Sequence, residues 1–429
     1  MKYKILWSLF LLSVILFTFA LQAEERVHGA ERGFLTQEAL RVNPEIHAFR
    51  KKWEVAKAQA IQAGVLEDPM LGVEFEGVPT DTADLGRTSD IEWSFTQTIP
   101  FPGKLSLKKK MALEEAQKAY FEYLEKENEV LREVKSTYAD LILMGETLKI
   151  LLENADLLIQ FENIAKSKYE VGKVSQQDLL KAQVELAKVK NQILIKEEER
   201  ERAIAKMNQL LARKPDHPLG EVSSDHRFLQ DFSLEDLMMI ALENRSELKA
   251  MGAEIHSGEW GVRLAKRQYW PDFFSKFESR QFQGTGLEEY DVMLGVNLPW
   301  FWTRSRLEGA VKEANANLEM AHYSYESKKL EIFFEIKDAL VKVNTSKNLI
   351  HLYQTSILPK SQEAVKAAQI AYQSDKIDFL MLLDGQRALL NFQIEYEEAL
   401  ADYDKSLAEL ERSVGRDFEN SKFKNQNAK

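Results

Sequence analysis

Residues able to carry chemistry are few and scattered in this chain. Its seven histidines (His28, His47, His217, His226, His256, His322 and His351) include no i, i+4 pair that would set two imidazoles on one helix face. His217 and His226 share a polar stretch, where solvated loop residues are the expected reading. Cysteine is absent, which removes disulfides, thiolate chemistry and lipidation through an N-terminal cysteine. No glycine-rich phosphate loop follows a strand pattern, and no nucleophile motif is present. The chain therefore reads as a non-enzyme without a cofactor. Two polar helix reversals stand out instead. The first runs Tyr169-Glu170-Val171-Gly172-Lys173-Val174-Ser175 and continues through Asp178 to Leu180. The second runs from Tyr372 through Asp375, Lys376, Ile377 and Asp378. Gly172 suits the left-handed conformation that closes a helix. Ser175 with Asp178 three residues on has the spacing of a capping box that opens the next. In the second reversal Asp375 replaces Gly172 and Asp378 replaces Ser175.

The elements that must hold these reversals are repeated. Asn43, Glu45 and Pro69 recur as Asn244, Glu247 and Pro271, and Ile99-Pro100-Phe101 recurs as Leu298-Pro299-Trp300. Tyr169, Leu179, Leu180 and Gln183 recur as Tyr372, Leu382, Leu383 and Gln386. The length of 429 residues alone suggests two or three domains. A long internal repeat overrides that prior. The expected organisation is a first repeat over 24–212, a linker over 213–232, a second repeat over 233–415 and a polar tail over 416–429. The reversals form tips at about 170–178 and 373–381.

Lys104 to Glu170 contains no proline and one glycine, Gly145, so a single helix of roughly 100 Å is expected. Further helices are expected over Thr36 to Leu66, Ser175 to Arg213, Ser233 to Gln268, Thr303 to Tyr372 and Ile377 to Val414. Pro359 should bend the second long helix or relax one hydrogen bond. Leu389, Phe392, Tyr396, Ala399, Tyr403, Leu407 and Leu410 step by three and four, as a coiled-coil seam does. Val130, Val134, Tyr138, Leu141, Leu148 and Leu152 do nearly the same.

Four segments, at about 68–78, 89–100, 271–282 and 289–299, alternate with period two. Leu71, Val73 and Phe75 oppose Glu74 and Glu76, and Ile91, Trp93, Phe95 and Ile99 oppose Glu92, Ser94, Thr96 and Thr98. Phe273 and Phe277 oppose Lys276, Glu278 and Arg280, while Tyr290, Val292, Leu294, Val296 and Leu298 oppose Asp291, Gly295 and Asn297. About ten residues with an apolar and a polar face is the pattern of a tilted transmembrane strand. Trp270, Trp300, Phe301 and Trp302 crowd the strand ends, where an aromatic girdle belongs. Four strands cannot close a barrel, and open edges in lipid cost several kcal/mol per unpaired group. Three chains would supply twelve.

Lys2 and Lys4 precede an apolar stretch from Ile5 to Ala20, and Leu21-Gln22-Ala23 ends it, the layout of a signal peptide cleaved after Ala23. No later stretch reaches the length of an apolar membrane helix. The net charge is −11, which speaks against nucleic-acid binding.

Together these features resemble the TolC-like outer-membrane efflux channels over essentially the whole mature chain. The most specific segments are Tyr169 to Gln183, Tyr372 to Gln386 and the strand exit from Gln97 to Lys104. That exit resembles the branch serving heavy-metal cation efflux pumps. The resemblance implies a mainly α chain with a membrane β-barrel part: duplicated long helical hairpins forming an α-barrel, and four strands closing a twelve-stranded barrel as a homotrimer. It implies the outer membrane of a Gram-negative-type cell, contact with outer-membrane lipid, and a helical tunnel in the periplasm. Its partners would be a periplasmic adaptor (membrane fusion) protein and an inner-membrane pump, exporting metal cations or small toxic compounds. A type I protein-secretion duct is the alternative within the family. The adaptor itself has one hairpin and a β-rich remainder, unlike this chain. Carried over by position, Gly172, Lys173, Val174 and Ser175 form the adaptor-docking tip, with Asp375, Lys376 and Ile377 as its second copy. Asp178 and Tyr372 match a latch between neighbouring helices, whose usual arginine falls on Ile377. Asp384 matches an acidic ring in the tunnel, and its companion position is Met381.

Overall fold

The computed structural model describes residues 31–78, 80, 85–220, 222, 231–282 and 288–418. The expected signal peptide and the polar tail beyond 418 lie outside the described residues. One series of elements occurs twice. The first comprises α1 (Arg32–Val42), α2 (Pro44–Gln62), β1 (Met70–Glu76), β2 (Asp90–Ile99), α3 (Lys104–Glu170) and α4 (Gln176–Leu210). The second comprises α5 (Leu234–Asn244), α6 (Ser246–Arg267), β3 (Asp272–Phe282), β4 (Glu288–Asn297), α7 (Arg304–Leu352), α8 (Leu358–Gln373) and α9 (Phe379–Val414). They form two compact units, one from Met1–His47, Glu125–Arg245 and Glu331–Lys429, the other from Ala48–Leu124 and Ser246–Leu330.

Two helices expected to be continuous are broken. Asn43 separates α1 from α2 with φ −64° and ψ 124°. It precedes Pro44, whose ring disfavours the helical conformation at the residue before it. The Asn43 side chain then caps α2, its Oδ1 accepting from the Glu45 and Ile46 amides at 2.9 and 3.3 Å. The corresponding break between α5 and α6 falls on Arg245, at φ −61° and ψ 117°. Arg245, and not Asn244, is thus the structural counterpart of Asn43. Both residues tie the break to the end of a long helix. Asn43 Nδ2 donates to the Leu210 carbonyl at 3.0 Å. The buried Arg245 guanidinium donates to the Arg412 carbonyl and pairs with Glu125 at 3.2 Å and Glu335 at 3.6 Å.

The helix expected over Thr303 to Tyr372 is also interrupted. A π-helical turn, Tyr353–Ile357, separates α7 from α8, two residues before Pro359. Proline has no amide hydrogen to donate, and the wider turn is how the helix accommodates that. In the seam of α3, Val130, Val134, Tyr138 and Leu141 are buried as expected, but Leu152 is exposed and Leu151 takes its place. A step of three after Leu148, in place of four, keeps the stripe on one face. Leu151, Leu158 and Phe161 of α3 pack with Leu186 and Val189 of α4, Tyr372 of α8, and Phe379, Leu382 and Leu383 of α9. One core is therefore built from both hairpins.

The four strands form one antiparallel sheet in the order β1-β2-β3-β4. Its register aligns Glu74 with Glu92, Glu92 with Arg280, and Arg280 with Glu289. The period-two reading holds: Leu71, Trp93, Tyr290, Val292 and Leu294 are exposed on one face. The other face carries Glu74, Glu76, Asp90, Glu92, Asp272, Glu278, Glu289 and Asp291 against Lys276 and Arg280. Glu92 is the buried centre of that face, 2.9 Å from Arg280 and 3.9 Å from Lys276.

Candidate functional site

The first reversal closes by hydrogen bonds within the turn. Gly172 has φ +74° and donates to the Tyr169 carbonyl at 2.9 Å, and the Lys173 amide donates to the Lys168 carbonyl at 2.9 Å. These cover carbonyls left open at the end of α3. Ser175 occupies the cap position of α4, yet its side chain makes no capping hydrogen bond. The expected capping box is absent there, and the Asp178 amide bonds the Ser175 carbonyl at 3.1 Å instead. The second reversal reaches the same geometry by other means. Asp375 takes φ +56°, and its neighbour Lys376 donates to the Ala371 carbonyl at 2.8 Å. Asp378 caps α9 in full, its Oδ1 accepting from the Met381 amide at 2.9 Å.

Lysines join the two reversals. Lys168 Nζ, at the end of α3, reaches the Asp375 carboxylate at 2.5 Å and the Tyr372 carbonyl at 2.6 Å, and lies 4.3 Å from the centre of the Tyr372 ring. Lys173 adds a second contact to Asp375 at 3.2 Å. The hydrogen bonds from Lys168 and Lys173 hold the Asp375 carboxyl below the ordinary carboxylate range. Of the residues expected at the tip, Lys173 and Asp375 are therefore in direct contact. Gly172, Ser175 and Lys376 are exposed, and Val174 and Ile377 are half-buried. Ile377 packs against the shared core, so no charged latch is built at that position.

Tyr372 is 2 % exposed and packs its ring 5.3 Å from that of Phe379. Its hydroxyl has no hydrogen-bond partner among the described residues, including Asp178. Burial, with the negative charges of Asp178 and Asp375 nearby, pushes its pKa up to about 12, so it stays a neutral donor. Within one chain, then, Asp178 and Tyr372 are close but not bonded.

Asp384 stands one turn and a half into α9 with an exposed carboxylate, and Met381 is exposed beside it. Arg387 Nη1 pairs with Asp384 at 3.2 Å and turns the rest of its guanidinium to Glu185 of α4, at 2.8 Å from Nε and 2.5 Å from Nη2. The bidentate bond from Arg387 is the main reason that the mostly buried Glu185 carboxyl lies below its usual range. Sequence reasoning missed Glu185 and Arg387. The three-residue step from Asp384 to Arg387 was a readable signal, whereas Glu185 lies in the other repeat. In the first repeat, Lys181 stands where Asp384 stands in the second. Next to these charges, Leu180, Val184, Leu380 and Leu383 line an open apolar groove of about 290 Å³. Among the described residues no group of His, Asp or Glu side chains converges as a metal site.

Among the described residues this arrangement is a pair of charged, ion-paired helix reversals, with no cluster of His, Asp or Glu side chains able to hold a metal. The family described as "Outer membrane efflux protein" matches residues 35–213 and 237–416. The cobalt-zinc-cadmium resistance protein CzcC of Cupriavidus metallidurans is 21 % identical over 374 residues, covering 87 % of both proteins. The outer-membrane channel OprN superposes with a TM-score of 0.77 at 18 % identity, over 90 % of each chain. CusC superposes with 0.78 at 16 % identity, over 90 % of this chain and 92 % of its own. With both repeats matched, the chain belongs to the outer membrane efflux protein family, and it is an outer-membrane channel with a periplasmic helical part, not an enzyme.

Proposed function

We propose that this chain works as a homotrimer, the outer-membrane duct of a tripartite efflux system that carries metal cations across the periplasm and outer membrane. A periplasmic adaptor would dock on Gly172 to Ser175 and on Asp375 to Ile377, linking the duct to an inner-membrane pump. The observation that carries the docking reading is the Lys168–Asp375–Lys173 bridge, which binds the two reversals into a single surface. Two features support a cationic cargo. The polar face of the sheet has eight carboxylates against two basic groups, and pores lined by acidic side chains favour cations. CzcC, by its name, confers resistance to cobalt, zinc and cadmium.

Gly172→Val tests the docking reading. A β-branched residue at φ +74° is strongly disfavoured, so the turn must rearrange. Resistance of cells to zinc and cadmium salts should fall in the variant while the amount of assembled channel in the membrane is kept. Normal resistance would remove the tip from the docking surface. Loss of a secreted protein with metal resistance intact would assign the duct to protein export.

A further inference from the structure

The end of the sheet where the helices begin carries a charge pattern that conduction does not require. Four residues separate β2 from α3, which opens with Lys104 and continues to Lys108-Lys109-Lys110. The last turns of α6 before β3 hold Arg263, Lys266 and Arg267, and α7 starts after β4 with Arg304-Ser305-Arg306. Nine basic residues thus gather at this end, with Glu67, Asp68, Asp272 and Glu308 as the acids nearby, in a chain of net charge −11. At the other end of the strands the balance is reversed, with Glu76, Asp90, Glu288 and Glu289 flanking the loops.

Part of the basic set has internal work. Lys104 is buried and pairs with Asp272 at 2.8 Å. Arg267 bonds the Pro102 carbonyl at 3.2 Å, and Lys110 and Arg263 lie over the Trp260 ring at 4.3 and 4.4 Å. Arg304 pairs with Glu308 at 2.9 Å. Lys108, Lys109, Lys266 and Arg306 are exposed and make no ion pair among the described residues. Trp270, Trp300 and Trp302 lie in the same band, exposed by 52, 47 and 70 %. Indoles prefer the boundary between hydrocarbon and headgroups. Unpaired cations beside such a boundary are attracted to anionic headgroups, by about fivefold in binding per lysine or arginine. The apolar strand face continues directly into this band. An acidic protein partner would explain the lysines but not the exposed indoles.

We propose that this band binds anionic phospholipid headgroups of the leaflet on the periplasmic side, with Lys108, Lys109, Lys266 and Arg306 as the contacting cations. The proposal rests on the outer-membrane channel reading above.

The test uses the assembled full-length channel in vesicles of phosphatidylethanolamine alone or mixed with phosphatidylglycerol. Lipid retained by the purified complex is counted by native mass spectrometry, and melting is followed in both lipids. The wild type should retain phosphatidylglycerol preferentially and melt higher in its presence, with both effects weakened by high salt. K108Q/K109Q/K266Q/R306Q should insert and assemble but lose most of the preference, whereas K108R/K109R/K266R should keep it. Equal retention of the two lipids by the wild type overturns the proposal. So does an undiminished preference in the glutamine variant, including the case where that variant loses only adaptor binding. Failure of the wild type to insert into either vesicle would refute the channel reading itself.

Discussion

Asp384 lies three residues from Arg387, and Arg387 is held in turn by Glu185 across the repeat boundary. A carboxylate that looks like a bare pore charge in the sequence is thus half of an ion pair. Two consequences follow at the level of single residues. The Glu185 carboxyl has a folded-state pKa below its unfolded value, so its stabilisation is present above the unfolded value and lost as pH falls through the folded one. Arg387→Gln should therefore lower stability by about 1 kcal/mol at neutral pH, and the deficit should shrink in acid. Thermal melts of both proteins from neutral to acid pH check this. A deficit that stays constant would mean that Arg387 acts through packing alone. The same variant leaves Asp384 without its basic partner. Cation selectivity in planar bilayers should then rise with Arg387→Gln and fall with Asp384→Ala, and no change in either would take Asp384 off the pore wall.

The two repeats solve the same backbone problem with different residues, which makes the elements open to direct comparison. Helix α4 ends with Ala212 at φ +53°, and α9 ends with Gly415 at φ +72°. A side chain on Gly415 would sit 3.1 Å from the Arg245 backbone. Left-handed conformations cost L-residues about 1–2 kcal/mol. Gly415→Ala should therefore destabilise by about that amount or more, while Ala212→Gly should be neutral or stabilising. Denaturant unfolding of the two variants gives the signs. Equal and opposite effects are not needed, but destabilisation by Ala212→Gly would show that the methyl group matters more than the backbone. The strands hold a similar constraint. The far end of the Phe274 ring occupies the space over Gly295 on the neighbouring strand, where a Cβ would stand 2.1 Å from it. The glycine leaves the space that the aromatic ring fills.

At the scale of the whole molecule, the sheet cannot be completed by one chain. Strands β1 and β4 each have one neighbour within the chain. Their outer faces are apolar, so these open edges belong in lipid, where an unpaired amide or carbonyl costs several kcal/mol. Pairing β4 of one chain with β1 of the next would remove both edges, and in the proposed homotrimer it gives a barrel of about twelve strands. Cysteine pairs introduced at facing positions of β1 and β4 should cross-link into trimers, since the chain has no native cysteine to compete. Dimers alone, or a stable lipid-free monomer with all four strands formed, would contradict this assembly.

Much of the architecture is local and therefore legible in residue order. The period of two in the strands sets which side chains share a face, and the lack of proline from Lys104 to Glu170 permits the long helix found over those residues. Gly172 marked its turn because positive φ restricts residue type. The breaks at Asn43 and Arg245 were only half visible: Pro44 follows the first, but nothing beside Arg245 announces the second, which depends on Glu125, Glu335 and the Arg412 carbonyl. Gln183 and Gln386 match in the repeat, yet Gln183 is exposed on Glu162 and Gln386 is buried on Asn154 at 2.7 Å. The repeat, the reversals and the two-faced strands can all be read along the chain, because each follows from the conformational preferences of neighbouring residues. The pairing of β2 with β3, the bridge from Lys168 and Lys173 to Asp375, and the pair of Arg387 with Glu185 come from the folded arrangement alone. Those contacts join residues some two hundred positions apart, where distance in space is set by packing and not by the order of the chain.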